Sequence, residues 1–178
     1  VTLFVKAGTY DEINVMVEKH DITLLGEDRK KTIIEYANNA KFNSNENANP
    51  YANGSNPSTA PRTANVYHRG MFLAHRCNDL TIANLTLHNT TPQGGTQAEA
   101  LILNGTANAH AIVANCDLYS YQDTVQINGQ AYVSGCHIEG DVDFIWGTGP
   151  CFFEKCDIVA LRKNAYYTQI RNPPTHHG

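Results

Sequence analysis

The sequence lacks the features that mark several common protein classes. Its 178 residues contain no apolar run approaching the roughly 20 residues that span a membrane. A formal net charge of −4 argues against nucleic acid as a partner. The five cysteines include no C-x-x-C pair, which argues against a zinc site, and a chain of this length does not need a disulfide framework. We therefore expect no membrane segment and no metal, and we expect the cysteines to be buried free thiols.

The first residues carry no charged-then-apolar leader. Instead Val1, Leu3 and Val5 alternate with the residues between them, which is typical of the interior of a strand. We expect the chain to be truncated within a strand here, so the missing leader does not indicate a compartment.

What the sequence does contain is a repeat of 20 residues, visible first in Cys116, Cys136 and Cys156. Three segments share one pattern of apolar residues, and the pattern loses its alternation at the same point in each: AIVANCDL at 111–118, AYVSGCHI at 131–138 and CFFEKCDI at 151–158. Alternation indicates strands, and a break at a fixed point predicts a corner. The corner residues are Asn115, Gly135 and Lys155, of which Asn and Gly tolerate the required backbone.

An earlier segment, LTIANLTL at 80–87, fits the same pattern, with Ile82, Asn84 and Leu85 in the places of Val113, Asn115 and Cys116. Short strands joined by corners every 20 to 31 residues predict an all-β parallel β-helix, in which each turn packs on the next. An antiparallel sandwich would not need cysteine on cysteine at constant spacing. Helices are disfavoured by the β-branched and aromatic content and by the absence of a 3.6-residue period.

Residues 38–65 interrupt this pattern, because they are rich in Asn, Ser, Pro and Ala and have few apolar anchors. We predict a long loop that leaves the solenoid. It either forms the rim of a binding groove or is a tolerated insertion.

Two aspartates, Asp123 and Asp143, follow the same 20-residue period. Adjacent strands lie about 4.8 Å apart, so the two carboxylates should face the same way and interact. Two like charges at this range split their pKa values, so that one carboxyl keeps its proton while the other stays anionic. Such a pair suits acid–base or nucleophilic chemistry, although perturbed carboxylates also occur in structural networks.

Neighbouring side chains fit a catalytic interpretation of the pair. Gln97 and Gln122 can donate amide hydrogens to a developing oxyanion, and Trp146 and Tyr121 can pack on the apolar face of a sugar. Taken singly, each glutamine is more commonly an ordinary polar side chain, and each aromatic ring is open to an ordinary packing role. Asp141 lies two residues from Asp143 and points the same way, but to one side, so it ranks below Asp143.

Several ordered motifs resemble those of the pectin methylesterases (pectinesterases). They are GDVDFIWG at 140–147, YQDT at 121–124 and QAEAL at 97–101, together with FVKAGTYDE at 4–12 and TIANLTLHNT at 81–90. The resemblance covers most of the chain except the 38–65 loop. It implies a right-handed parallel β-helix forming one domain fragment over 1–178. It also implies removal of methyl groups from the methyl-esterified galacturonate of pectin (homogalacturonan).

The resemblance implies roles for individual residues. Asp143 would be the nucleophile that forms an acyl-enzyme. Asp123 would protonate departing methanol and then activate water. Gln97 and Gln122 would form the oxyanion hole, and the sugar would be bound by Trp146, Tyr121 and Phe144. No metal or cofactor is implied. Because pectin lies outside cells, the resemblance implies a secreted or periplasmic protein, and we expect the full-length form to be a monomer.

This chain departs from the family pattern in two side chains. Trp146 stands where the family usually has a second Phe. Glu99 stands at a position that is often apolar in the family. Aligning Leu103-Asn104-Gly105 with Ile127-Asn128-Gly129 places Glu99 one turn from Asp123, on the same face. A third carboxylate there would raise the pKa of Asp123 further.

A third departure is the absence of the later G-R-P-W-like segment, whose Arg orients the family's nucleophile. Arg171 resembles an earlier Arg of the family. Arg162 and Lys163 lie one 20-residue step beyond Val142 and Asp143 and either could supply positive charge there, although solvated surface is the commoner role. We expect truncation at this end too.

Three rival functions remain open from the residues alone. A polygalacturonase-like hydrolase also needs two nearby carboxyls. A pectate lyase would need a calcium-binding carboxylate cluster and a basic proton acceptor. In a non-catalytic carbohydrate-binding β-helix, the aspartate pair would be incidental. The paired glutamines favour acyl chemistry, because they suit an oxyanion.

Overall fold

The computed structural model describes residues 1–42 and 69–172, which form eighteen strands and no helix. All the strand pairings between them are parallel, and each strand pairs with the strands three places before and after it in the chain. Successive strands therefore belong to successive faces of a coil, which is the predicted right-handed parallel β-helix.

The first sheet consists of β1 (Thr2–Val5), β4 (His20–Gly26), β7 (Asn78–Ala83), β10 (His110–Ala114), β13 (Gln130–Ser134) and β16 (Cys151–Glu154). The second sheet consists of β2 (Gly8–Asp11), β5 (Thr32–Tyr36), β8 (Thr86–Asn89), β11 (Asp117–Tyr119), β14 (His137–Gly140) and β17 (Asp157–Ala160). The third sheet consists of β3 (Asn14–Val17), β6 (Phe72–His75), β9 (Leu101–Asn104), β12 (Val125–Asn128), β15 (Ile145–Thr148) and β18 (Thr168–Ile170).

The corner between the first and second sheets has the predicted geometry. Its residues share a left-handed backbone, with φ of 59°, 52°, 62° and 52° at Asn84, Asn115, Gly135 and Lys155. Asn and Gly adopt this conformation most readily, and the repeat imposes it on lysine as well. The predicted alignment of Ile82 with Val113 is also confirmed by the register of β7 and β10.

The core is built from side chains that stack from one turn to the next inside the coil. The predicted ladder of Leu85, Cys116 and Cys136 is buried, with exposed fractions of 0%, 0% and 2%, and Cys156 packs half-buried against it. A neighbouring column stacks Ile34, Leu87, Leu118 and Ile138 in register. The cysteines therefore fill space in the core, as apolar side chains do elsewhere.

No helix long and apolar enough to cross a membrane occurs within the described segments. Of the loop predicted at 38–65, residues 43–65 lie outside the described residues, so the two interpretations of that loop are not tested.

Candidate active site

Three acidic residues occupy equivalent places in three successive turns of the coil. Glu99, Asp123 and Asp143 each stand two residues before the strands β9, β12 and β15. The parallel register joins Leu101 to Val125 and Val125 to Ile145, so the three acids form one column at the edge of the third sheet. This register confirms the predicted alignment of the aspartates and that of Glu99 with Asp123.

The backbone at the two aspartates is unusual and repeats from one turn to the next. Asp123 and Asp143 both have positive φ, of 62° and 48°, directly after a parallel bridge between Gln122 and Val142. The amide of Asp123 donates to the carbonyl of Val142 at 2.9 Å. Aspartate is among the few residues that tolerate this conformation, so the side chains are presented from a defined turn rather than from a strand.

Arg69, which precedes β6, reaches into this column. Its Nη2 lies 2.7 Å from Oε1 of Glu99 and 2.8 Å from Oδ2 of Asp123. Its Nε donates to both oxygens of Glu99, at 2.9 and 3.1 Å. Glu99 is completely buried and Asp123 is 7% exposed, so the guanidinium bridges two carboxyls that have lost nearly all contact with water.

Asp123 is strongly perturbed by these surroundings. Burial raises the pKa of Asp123 to about 7, with further increases from the charges of Glu99 and Asp143, while Arg69 and Arg171 act in the opposite direction. Carboxyls with a pKa near neutrality are suited to proton transfer at ordinary pH. Asp123 is therefore a candidate proton donor near neutral pH, and Asp143, which is half-buried, is the more accessible of the two carboxyls.

Trp146, the one tryptophan of the sequence, lies between two arginines. The guanidinium carbons of Arg69 and Arg171 are 5.5 and 4.8 Å from its ring centroid, within the range of cation–π contact. The side chain is 6% exposed, and within the described ranges its Nε1 is buried without a hydrogen-bond partner. Trp146 thus joins the two cations that counter the acidic column.

The two predicted oxyanion donors are half-buried, and each precedes a member of the acidic column in the chain, Gln97 before Glu99 and Gln122 before Asp123. The side-chain oxygen of Gln97 accepts a hydrogen bond from Thr96 Oγ1 at 2.7 Å. The amide nitrogen of Gln97 takes no part in this bond. Gln122 immediately precedes Asp123 and lines a cavity of about 120 Å³. Among residues 1–42 and 69–172, neither amide nitrogen has a hydrogen-bond partner, so both are able to donate.

The other two predicted sugar contacts differ from each other. Tyr121 is half-buried and lines the cavity, together with Asp141, whose Oδ2 accepts from Gln93 Nε2 at 2.8 Å. The prediction for Phe144 needs correction. Its side chain is 0% exposed, belongs to the hydrophobic core and packs on Tyr167 with ring centroids 5.1 Å apart. Phe144 follows the turn at Asp143 and lies directly before β15, with its side chain in the core, so it supports the site from beneath.

Of the two cations considered in the sequence, Arg162 is exposed but lines the cavity beside Gln122, whereas Lys163 is not among the residues that line it. The Nε of Arg162 is 3.9 Å from Asp141, and Lys163 is exposed at the surface. In the part of the chain that the structure describes, the cations that act on Asp123 are Arg69 and Arg171.

The sequence analysis does not predict a role for Arg69. The signal that could have found Arg69 is the match of FLAH at 72–75 with LILN at 101–104. This match places Gly70, the neighbour of Arg69 in the chain, one turn before Glu99 in the acidic column. That step is 29 residues long and the chain before it departs from the repeat, so the 20-residue spacing does not reveal it.

No group of three or more His, Cys, Asp or Glu side chains within the described part of the chain is arranged to hold a metal ion. The charges of the acidic column are instead countered by the two arginines.

Comparisons with known proteins agree with this architecture. The pectinesterase family model matches residues 1–171. Pectinesterase 2 of Arabidopsis thaliana is 34% identical over 166 residues, covering 92% of this chain and 24% of that protein. The structure of pectin methylesterase from carrot superposes with a TM-score of 0.76 at 25% identity, covering 98% of this chain and 50% of the other.

The pectin methylesterase PemA from Erwinia chrysanthemi superposes with a TM-score of 0.73 at 22% identity, covering 98% of this chain and 53% of the other, and so supports the fold. This chain spans about a quarter of the length of most of the curated relatives it matches, such as 24% of the Arabidopsis protein. On the family match over residues 1–171 and on these relatives, the chain belongs to the pectinesterase family.

Proposed function

We propose that this chain carries the catalytic residues of a carboxylic ester hydrolase that removes methyl groups from the methyl-esterified galacturonate of pectin. The observation that supports this proposal most strongly is the unequal pair of carboxyls. Asp123 has a pKa of about 7 and stands one turn from the half-buried Asp143. Such a pair provides a proton donor and an anionic nucleophile side by side.

In the first half of the reaction, a carboxylate oxygen of Asp143 attacks the carbonyl carbon of the methyl ester. The amide groups of Gln97 and Gln122 donate hydrogen bonds to the oxyanion that develops. As the tetrahedral intermediate collapses, Asp123 gives its proton to the leaving oxygen and methanol departs. The galacturonate carbonyl is then joined to Asp143 as an acyl-enzyme.

In the second half, Asp123 is anionic and takes a proton from water as the water oxygen attacks the acyl carbon. The bond to Asp143 breaks, the galacturonate leaves as the carboxylic acid and gives its remaining proton to solvent, and both aspartates return to their starting states. The same carboxyl thus serves as acid and then as base, for which a pKa near neutrality is well matched.

We also propose that the substrate reaches the site beside Tyr121 and the cavity of about 120 Å³ that this residue lines. Trp146, with 6% of its side chain exposed, offers less surface to a sugar. Because pectin is extracellular, the protein is proposed to be secreted or periplasmic, with the chain forming a single β-helix domain that is monomeric in the full-length protein.

Incubation with highly methylated pectin tests this proposal, with methanol, reducing ends and unsaturated product followed together. Methanol alone supports the esterase. Reducing ends without unsaturation indicate a glycoside hydrolase, and unsaturated product indicates a lyase. No product at all from the full-length protein would favour a non-catalytic carbohydrate-binding domain.

Asp143→Ala should abolish methanol release, because it removes the nucleophile. Asp157→Ala is the matched control, since Asp157 is an exposed aspartate in β17 of the second sheet. The control should release methanol at the wild-type rate. Equal rates in the two variants would refute the assignment of Asp143.

A further inference from the structure

Arg69 and Glu99 form a pair of opposite charges packed directly against Asp123. Glu99 engages the guanidinium through both of its oxygens, with Nε at 2.9 and 3.1 Å and Nη2 at 2.7 Å. Asp123 engages the same guanidinium through one oxygen only, Oδ2, at 2.8 Å from Nη2. Sharing one nitrogen brings the two carboxyls within the roughly 4–6 Å over which one charge alters the ionisation of another.

The consequence of this geometry depends on which charges are present. A guanidinium alone beside Asp123 would favour the ionised form, and a general acid would lose its proton. A second carboxylate bonded to the same guanidinium cancels most of that effect. The hydrogen bond from Arg69 remains, and it holds the Asp123 side chain in one orientation.

The proton is better placed on Asp123 than on Glu99. Burial raises the pKa of Glu99 as well, so both carboxyls compete for one proton. Glu99 has three contacts with the guanidinium and Asp123 has one, so ionisation of Glu99 is the better compensated of the two. When Asp123 is protonated, its Oδ2 still accepts from Arg69 and the hydrogen resides on Oδ1.

We propose that Glu99 and Arg69 are positioning residues for Asp123. The guanidinium of Arg69 orients the Asp123 carboxyl, and Glu99 balances the charge of the guanidinium so that Asp123 keeps the proton it must donate. This inference rests on the proposed esterase function for its purpose. The physical content of the inference is independent of the esterase function, because the ionisation of Asp123 can be measured without substrate.

Within residues 1–42 and 69–172, the charged groups that act on Asp123 are Glu99, Arg69, Asp143 and Arg171. Two variants separate the contributions of the first two. Glu99→Gln removes one negative charge while keeping the shape and one acceptor for Arg69. The double variant Arg69→Met/Glu99→Gln removes both charges together and leaves Asp143 and Arg171 in place.

The direct test is a pH titration of the ¹³C-labelled carboxyl carbons by NMR, with the Asp123 signal assigned from Asp123→Asn. Glu99→Gln should lower the titration midpoint of Asp123 by roughly one pH unit or more, because the negative charge that opposes ionisation of Asp123 is then gone while Arg69 remains. The double variant should return the midpoint to the wild-type value or above it. Glu35→Gln is the matched control, because Glu35 pairs with His88 on the second sheet at 3.4 Å, and it should leave the midpoint unchanged.

If Glu99 and Arg69 had only a structural role, both variants would be less stable. The titration midpoint of Asp123 would then not fall in Glu99→Gln and return in the double variant. The proposal is overturned if Glu99→Gln leaves the midpoint unchanged or raises it, or if the double variant fails to restore it. If Glu99→Gln does not fold, the wild-type protein supplies the decision. There the Glu99 carbon should keep its ionised shift while Asp123 titrates, and protonation of Glu99 instead would refute the proposal.

Kinetics then separate this inference from the proposed function. In an active esterase, the alkaline limb of kcat/KM should move down in Glu99→Gln and return in the double variant, following the NMR midpoints. If the midpoints move as expected but no methanol is released by the full-length wild-type protein, the positioning pair is supported and the esterase is refuted.

Discussion

Gly147 provides a quantitative test of how tightly the turns are packed beside the site. It follows Trp146 in β15 and has φ of 135°, a region that side chains rarely adopt. A Cβ at this position would lie 2.6 Å from the carbonyl carbon and 2.9 Å from the nitrogen of Ile127, and closer still to the carbonyl oxygen. These are backbone atoms of the adjacent strand, so the side chain has no flexible neighbour to displace.

Gly147→Ala should therefore cost stability in two ways. Backbone strain of this kind is worth about 1–3 kcal/mol, and forcing the neighbouring strand aside costs about 1–3 kcal/mol more. The sum of roughly 2–6 kcal/mol corresponds to a fall in Tm of roughly 5–20 °C for a chain of this size. Thermal and urea unfolding followed by circular dichroism would measure both quantities.

Gly135→Ala is the matched control, because it makes the same substitution at the corner of the same solenoid. Gly135 has φ of 62°, and a methyl group added there would meet no atom within 4 Å beyond its own chain neighbours. The equivalent corner residues Asn115 and Lys155 carry side chains with φ of 52°. The cost of Gly135→Ala should be within about 1 kcal/mol, since left-handed strain is partly offset by the lower entropy of the unfolded chain. If the free energies of unfolding of Gly147→Ala and Gly135→Ala differ by less than about 0.5 kcal/mol, the packing argument is wrong.

Two further predictions concern buried acids. Because burial raises the pKa of Asp123 to about 7 in the folded state, against about 3.9 unfolded, the wild-type protein should lose stability as the pH rises between these values. Asp123→Asn should not lose stability in this way. Its free energy of unfolding relative to wild type should therefore rise by at most about 4 kcal/mol from pH 4 to pH 8. A difference in urea unfolding that does not depend on pH would contradict this. For Asp117, burial acts to raise the pKa, but hydrogen bonds from Arg29 and Lys30 bring it below its ordinary value. Arg29→Met should destabilise the protein by about 1.5–3 kcal/mol at neutral pH, with a difference that shrinks below about pH 4, whereas Lys31→Met should have little effect at either pH.

The acidic column shows how a repeat can concentrate chemistry as well as packing. Stacking like charges in adjacent strands is unfavourable. Here Glu99, Asp123 and Asp143 are stacked, and Arg69 and Arg171 approach the column from outside the 20-residue repeat. The 20-residue repeat therefore supplies the two aspartates, and turns of other lengths supply Glu99 and the cations that counter the column.

The sequence by itself determined the coil, its corners, the cysteine ladder and the alignment of the acids. In a parallel solenoid, residues one turn apart are neighbours in space, so a constant spacing is already a statement about contact. This is why Asn115, Gly135 and Lys155 were recognisable as one corner before their backbone angles were known, and why Asp123 and Asp143 could be paired.

Only the tertiary structure decided the direction of Phe144, the approach of Arg69 to Glu99 and Asp123, and the two cations on Trp146. The contacts of Arg69 and Trp146 depend on how turns of unequal length bring side chains together, and such turns have no period that can be read along the chain. The direction of Phe144 depends on the turn at Asp143, whose positive φ interrupts simple alternation. The pKa of Asp123 belongs to this group in part, because spacing predicts the neighbouring charges of Asp143 and Glu99, whereas burial and the approach of Arg69 and Arg171 came from the tertiary structure.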